Sequence, residues 1–218
     1  MSYFRELPNL EYESPFATRI SNSSYVQAKN IFRRMKIRDD LQNIFTLFNK
    51  YEIREGARPD TIAEELYGKS DLDWVVLISA NIINVRDQWP LSNKDLYDYT
   101  VNKYGLENIT RIHHYETKEI KNSRGDIIIT KGKVVDSDFS VTYLDTGISD
   151  TPISTNVTTS ISNYEYEVRE NKKKETIYLL KPSYLQQFLN DMRTEMSYSE
   201  SSQYINKSLI RTENTRIK

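Results

Sequence analysis

Residues 51–84, YEIREGARPDTIAEELYGKSDLDWVVLISANIIN, read as one short strand followed by two short helices. Tyr51-Glu52-Ile53 alternates apolar and polar, the pattern of a half-buried strand. Gly56 permits the turn that follows, and Pro59 sits at the first turn of a helix, where proline is tolerated. Thr61 and Glu64 have capping-box spacing, with Asp60 as the competing N-cap. Ile62, Ala63, Leu66 and Tyr67 fall on one helical face. Gly68 stands where a helix ends in a left-handed residue. Ser70 and Asp73 form a second capping box ahead of Trp74-Val75-Val76-Leu77-Ile78, a helix apolar nearly all round and therefore buried on most sides. Asn81 and Asn84 close it.

The pattern resembles a LysM module, a small βααβ carbohydrate-binding domain. The matching residues are Tyr51 to Ile53, Gly56, Pro59, Asp60-Thr61, Ile62-Ala63, Tyr67-Gly68, Trp74, and Asn81 or Asn84. A structural αα-hairpin has the same caps and the same apolar spacing. A complete module would return with a second strand, but here VRDQWPLSNKDLYDYTVNKYG follows. Ser92 and Asp95 make a third capping box, with Leu91 and Leu96 at the positions of a hydrophobic staple. The spacing predicts a helix ending at Tyr104-Gly105, standing where the second strand is expected. A carbohydrate groove would then be incomplete.

Hydrophobic residues are 38% of the 218, and mean hydropathy is −0.67. That is polar for a compact enzyme and predicts extended or surface-rich segments. Sixteen tyrosines, against seven Phe and two Trp, suit interfaces, because the ring is apolar and the hydroxyl still finds a partner. A net charge of −1 gives no overall field for nucleic acid. With no cysteine, disulfides, thiolate metal sites and cysteine nucleophiles are excluded. MSYFRELPN has neither a basic nor an apolar signal region, and Trp74 to Val85 is too short to span a bilayer. The expectation is a soluble protein made in a cytosol.

Residues 1–24 carry Pro8 and Pro15 without a lasting period and read as an extended arm that needs a surface to dock on. In 25–38, Ala28, Ile31, Phe32 and Met35 have helical spacing, while Met35 and Ile37 alternate. Lys29, Arg33, Arg34, Lys36 and Arg38 form a basic run. A phosphate-binding patch is one reading. A solvated or acid-facing surface is favoured, since no aromatic stacking platform accompanies the run. Asp39 or Asp40 can cap a helix through Phe48 with the stripe Leu41, Ile44, Phe45, Phe48.

Residues 109–145 read as short antiparallel strands, with turns at Asn122–Asp126 and Gly132. His113 and His114 would point to opposite faces of a strand and so not share a metal. Residues 145–163 read as a Ser/Thr-rich loop or exposed strand, and 164–175 as a solvated surface with local ion pairs. Thr176–Leu180 reads as a strand. Pro182 and Ser183 start a helix through Met196 with the stripe Leu185, Phe188, Leu189, Met192, Met196. The last twenty residues read as a polar tail, disordered unless a partner orders it.

No glycine-rich phosphate loop, GxSxG or HExxH signature occurs. Carboxylates are many, but none lies in an apolar, aromatic context suited to acid catalysis. Catalytic, cofactor and metal residues are therefore not assigned, and the expectation is no enzyme and no cofactor.

Taken in order, several stretches resemble the LysM-containing baseplate wedge proteins of T-even-type (T4-like) contractile-tailed bacteriophages. They are Tyr3-Phe4-Arg5 with Leu7-Pro8, Lys29 to Arg34, Tyr51 to Val75 as above, Trp89-Pro90-Leu91-Ser92, Lys103-Tyr104-Gly105, Glu170 to Lys174, Ile177 to Leu180, Tyr184 and Phe188. The variable part is 115–163. The resemblance implies a structural subunit of the virion tail baseplate, assembled in the host cytoplasm. It implies one that joins late and helps clamp adjacent wedges around the hub. Its implied partners are other wedge proteins, including the sheath-initiating wedge protein and the large wedge scaffold subunits. No nucleic acid, membrane or small-molecule substrate is implied. A peptidoglycan-binding LysM module is the alternative.

The expected fold is α+β: a LysM-like helical hairpin core with extra helices, a small antiparallel β segment and extended termini. Its segments are 1–48 (arm and docking helix), 49–105 (LysM-like, with an added helix), 106–163 (β-rich) and 164–218 (strand, amphipathic helix and tail). Phe4, Pro8, Arg33, Arg34, Tyr184 and Phe188 are the expected interface residues.

Overall fold

The computed structural model describes residues 2–13, 25–37, 46–145, 147–148 and 152–212. In chain order it begins with α1 (Tyr3–Glu6), β1 (Asn9–Glu13), β2 (Tyr25–Lys29) and β3 (Phe48–Glu52). Then come α2 (Pro59–Tyr67), α3 (Asp73–Ser79), α4 (Val85–Gln88) and α5 (Asn93–Tyr104). Short strands follow: β4 (Ile112–Thr117), β5 (Ile120–Lys121), β6 (Ile127–Ile129), β7 (Val134–Val135), β8 (Ser140–Tyr143), β9 (Ile153–Asn156) and β10 (Thr158–Ser162). The chain continues through α6 (Asn163–Glu175), β11 (Thr176–Leu180), α7 (Leu185–Met196), β12 (Tyr204–Asn206) and β13 (Leu209–Arg211). Two compact units result, 1–89 with 176–218, and 90–175. The architecture is mixed α+β with several small sheets.

In the first unit β3 pairs antiparallel with β11, from Phe48 opposite Leu180 to Glu52 opposite Thr176. The partner strand β11 begins about 97 residues after the end of α3, counted on the chain. Tyr67 ties α2 to the same strand, its hydroxyl donating to Leu180 O at 2.8 Å. Burial pushes that phenol's pKa up. Ile62 and Ala63 of α2, Trp74, Val75 and Val76 of α3, Leu179 of β11, and Met192 and Met196 of α7 are buried in one cluster. Each of the buried Ile, Val, Leu and Met side chains contributes about 1.5–3 kcal/mol by leaving water.

Local signals at the ends of these helices differ from the expected caps. Pro59 occupies the first helical turn and Arg58 is the N-cap residue, without a side-chain cap. The fixed φ of proline starts the helix there, so Asp60 and Thr61 already lie inside it. Ser70 opens a 3-10 turn through Leu72 and caps nothing, while Asp73 Oδ1 accepts from Trp74 N. Gly68 ends α2 in the left-handed region, φ 69°. The two asparagines do separate work. Asn81 turns the chain after α3 at φ 55°, and Asn84 caps α4 by accepting from Arg86 N.

Described segments from both ends of the chain, read above as an extended arm and a polar tail, pair as strands. β1, β2, β12 and β13 form a four-stranded sheet in the order β12-β13-β1-β2, with β1 and β13 parallel. The helical reading of Ala28, Ile31, Phe32 and Met35 gives way to sheet pairing, which supplies β2 with a backbone partner in β1. Asn30 then turns the chain, its Oδ1 accepting from Phe32 N. Phe48 is buried in β3 and does not end a helix. Asp39, Asp40, Leu41, Ile44 and Phe45 lie outside the described residues, as does 213–218.

In the second unit β4 is flanked by β10 and β7, beside the hairpins β5-β6 and β8-β9. Gly125 closes the first expected turn at φ 88°. Gly132 separates β6 from β7, which pair with β5 and β4 and not with each other. The stretch after 145, read as a loop or exposed strand, holds the strands β9 and β10, and Val157 and Ile161 in it are buried. The helix α5, capped by Ser92 through Asp95 N, belongs to this unit.

The segment read as solvated, 164–175, lies in the helix α6, and it buries a polar stripe. Asn163, Glu167 and Asn171 recur every four residues and are all buried. Asn171 accepts from Leu91 N (2.7 Å) and donates to Leu91 O (2.9 Å), satisfying both backbone groups of one residue. Asn171→Ala should therefore cost about 1–3 kcal/mol through orphaned buried groups. Urea unfolding checks this, and a cost near zero would contradict it.

Candidate interaction surfaces

The first unit presents a groove of about 610 Å³ bordered by Arg34, Met35, Ile37, Leu180, Tyr184 and Phe188. Its floor rests on an aromatic series. Phe188 lies 6.0 Å from Trp74, Trp74 lies 5.7 Å from Tyr3, and Tyr3 meets Phe4 edge-on at 5.9 Å. The apolar stripe of α7 explains this, since Leu189, Met192 and Met196 face the core and turn Phe188 toward Trp74.

Of the expected interface residues, Phe4 is 60% exposed, Tyr184 is partly exposed and Arg34 is exposed. Phe188 packs against the core and Pro8 is buried. Arg33 turns inward. Its guanidinium donates to the carbonyls of Met196, Ser197 and Glu195 at 3.0, 3.2 and 3.4 Å, where a cation complements the negative end of α7. It also lies over the Tyr198 ring. Nearby, Arg193 grips Glu6 at 2.8 Å, and that hydrogen bond holds the Glu6 carboxyl below its usual range.

The residues of the LysM resemblance cluster around the β3–β11 pair. Ile53, Ile62, Ala63 and Trp74 are buried, and Tyr67 bonds to β11. Tyr51 points toward Glu65, with a hydroxyl–carboxylate distance of 3.3 Å. Gly56 and Gly68 take positive φ at the two turns around α2, and Asp60 Oδ1 lies 3.4 Å from Arg58 Nε. Trp89 is a positioning residue to which the sequence reading assigns no such role. It is buried, and its Nε1 donates to Ala57 O at 2.9 Å, anchoring the turn before α2. A tryptophan directly before a proline was the available signal.

In the second unit, polar clusters organise the surface. Glu167 accepts from Lys103 (2.6 Å) and Tyr104 (2.8 Å), which pushes the pKa of Lys103 up. His113 and His114 do not diverge as expected, because their Nδ1 atoms are 2.8 Å apart. The His113 ring stacks on Tyr166 at 4.0 Å, and this contact turns it toward its neighbour. His114 Nε2 meets Glu116, which also takes a hydrogen bond from Arg169. Among the described residues no group of three His, Cys, Asp or Glu is placed to hold a metal ion. No described helix is long and apolar enough to cross a membrane.

Arg169 first, then His114, holds the Glu116 carboxyl below its usual value of 4.5. A depressed carboxylate stabilises the fold above the unfolded-state value, and this contribution is lost as pH falls through the folded-state value. Amide protection in β4 should therefore weaken from about pH 5 downward. Glu116→Gln should flatten that dependence. A wild-type profile unchanged by the substitution would contradict the assignment.

The family model described as "Base plate wedge protein 53" matches residues 4–194, which takes in residues of both compact units. A comparison with curated proteins returned no match. The match runs from Phe4, the second residue of α1, to the last turn of α7, and the chain belongs to the Base plate wedge protein 53 family of phage tail baseplate proteins.

Proposed function

We propose that the chain is a structural wedge subunit of a T4-like contractile-tailed phage, binding other wedge proteins and clamping adjacent wedges around the hub. The family match over 4–194 carries this reading. The subunit joins late in assembly in the host cytoplasm. Its neighbours are the sheath-initiating wedge protein and the large wedge scaffold subunits, and it performs no catalysis. Phe4, Arg34 and Tyr184 are its proposed contacts, since all three reach solvent. Several separate contact regions let one subunit engage several neighbours, which raises avidity without a new site.

A LysM-like core used for protein contact fits this role. The order β3, α2, α3, β11 with its two strands antiparallel supports that reading, because it is the βααβ order with a delayed return strand. The same order keeps peptidoglycan binding as the second reading. The experiment is a phage in which this chain is not produced. Tails that stop before a complete baseplate are expected, with free wedges accumulating. Normal infectious particles would overturn the proposal. Sedimentation of the purified chain with clean sacculi would favour the second reading.

A further inference from the structure

The four-stranded sheet of the first unit is built without a single buried strand residue. One face is apolar and the other mixed: the register places Leu10, Tyr12, Val26, Ala28 and Ile210 on the first, and Glu11, Glu13, Gln27 and Arg211 together with Tyr25 and Leu209 on the second. Such a sheet normally gains its stability from covering the apolar side.

Among the described residues strand β2 is the edge, and all five of its residues are exposed. Its backbone direction follows from the register. Asn30 N donates to Pro8 O at 2.8 Å, one step beyond the pair Asn9–Lys29. Hydrogen-bonded pairs recur at every second residue of an antiparallel ladder. Asn30, Ala28 and Val26 therefore aim their backbone groups at β1, and Tyr25, Gln27 and Lys29 aim theirs outward. Lys29 O takes Ile31 N at 3.0 Å. Edges are commonly guarded by proline or an outward charge. β2 has no proline, and its one charge is folded back, Lys29 Nζ donating to the carbonyls of Leu7 (2.8 Å) and Arg5 (3.3 Å). Immediately beyond the strand stand Ile31 and Phe32, 65% and 87% exposed.

We propose that β2 is a docking edge for an extended segment of a neighbouring baseplate chain. That segment pairs through its main chain with Tyr25 and Gln27. It carries apolar side chains on alternate residues, in line with Val26 and Ala28, and one large apolar residue meets Ile31 and Phe32. Outward-facing N–H and C=O groups at alternate residues are complementary to a strand and not to a helix. This rests on the wedge reading, which supplies the neighbour.

The test uses the full chain mixed with the other wedge proteins of the same phage. Hydrogen exchange should show the amides of Tyr25 and Gln27 open in the free chain and protected in the mixture. Gln27→Pro removes an outward N–H while leaving the β1 ladder its bonds. It should weaken binding by about tenfold or more, as should Phe32→Ser, with unchanged melting. If wild type binds but β2 stays unprotected, or Gln27→Pro binds equally well, the docking edge is wrong and the wedge reading stands. If wild type binds none of them, both fall. Protection arising in the chain alone as it self-associates would make the occupant a second copy and overturn the proposal. Should Gln27→Pro fail to fold, the wild-type protection pattern decides.

Discussion

Trp74→Ala is expected to lower the stability of the chain by about 3–5 kcal/mol, among the largest effects of any single truncation. The indole is 5% exposed and sits on the buried helix α3. It contacts Tyr3 of α1 and Phe188 of α7, so two separate chain segments lose a shared partner. Val75 and Val76, both fully buried, fix α3 against collapse into the space left behind. For a chain of this size the melting temperature should fall by roughly 10 °C. Tyr184→Ala is the comparison, since that ring is 39% exposed and its loss should change stability little. If the two variants melt together, the core is not organised around Trp74.

The second large effect concerns the return strand. Leu179→Asp places a carboxylate at a position that is 1% exposed, in the middle of β11. Burying an unpaired charge, together with the lost apolar packing, should cost on the order of 4 kcal/mol. The consequence is specific. Among the described residues β3 has β11 as its sole strand partner. Tyr67 also depends on the carbonyl of Leu180. Exchange protection should therefore drop in Phe48–Glu52 and in α2 together, although these residues lie more than a hundred positions away in the chain. Loss confined to residues around 179 would contradict the pairing as the element that completes this unit.

The strand, the two helices and the left-handed glycine of 51–84 are readable because their signals are local. Apolar spacing of 3.6, a proline at the first turn and a glycine at the end each act within a few residues. The amphipathic helix α7 is readable for the same reason, with Leu189, Met192 and Met196 buried. What escapes is whatever depends on a distant partner. The pairing of β3 with β11 and of β1 with β13 joins segments more than a hundred residues apart. A three-residue strand in a polar stretch, such as Leu209–Arg211, looks like tail until Asn9–Glu13 offers it backbone hydrogen bonds. The helix α6 escapes for another reason. Its buried stripe is Asn163, Glu167 and Asn171, so the periodicity exists but is written in polar residues. The same holds for Arg33, read as surface charge, whose partners are three backbone carbonyls at the end of α7. The exposed Ile31 and Phe32, read as part of a helical face, stand on a turn that Asn30 sets.

The most direct measurement of the wedge reading is sedimentation velocity of the purified chain, alone and mixed with the other baseplate wedge proteins of the same phage. The account predicts a slow boundary for the chain alone and a faster boundary containing it in at least one mixture. A chain that sediments as a free monomer in every combination would contradict the account.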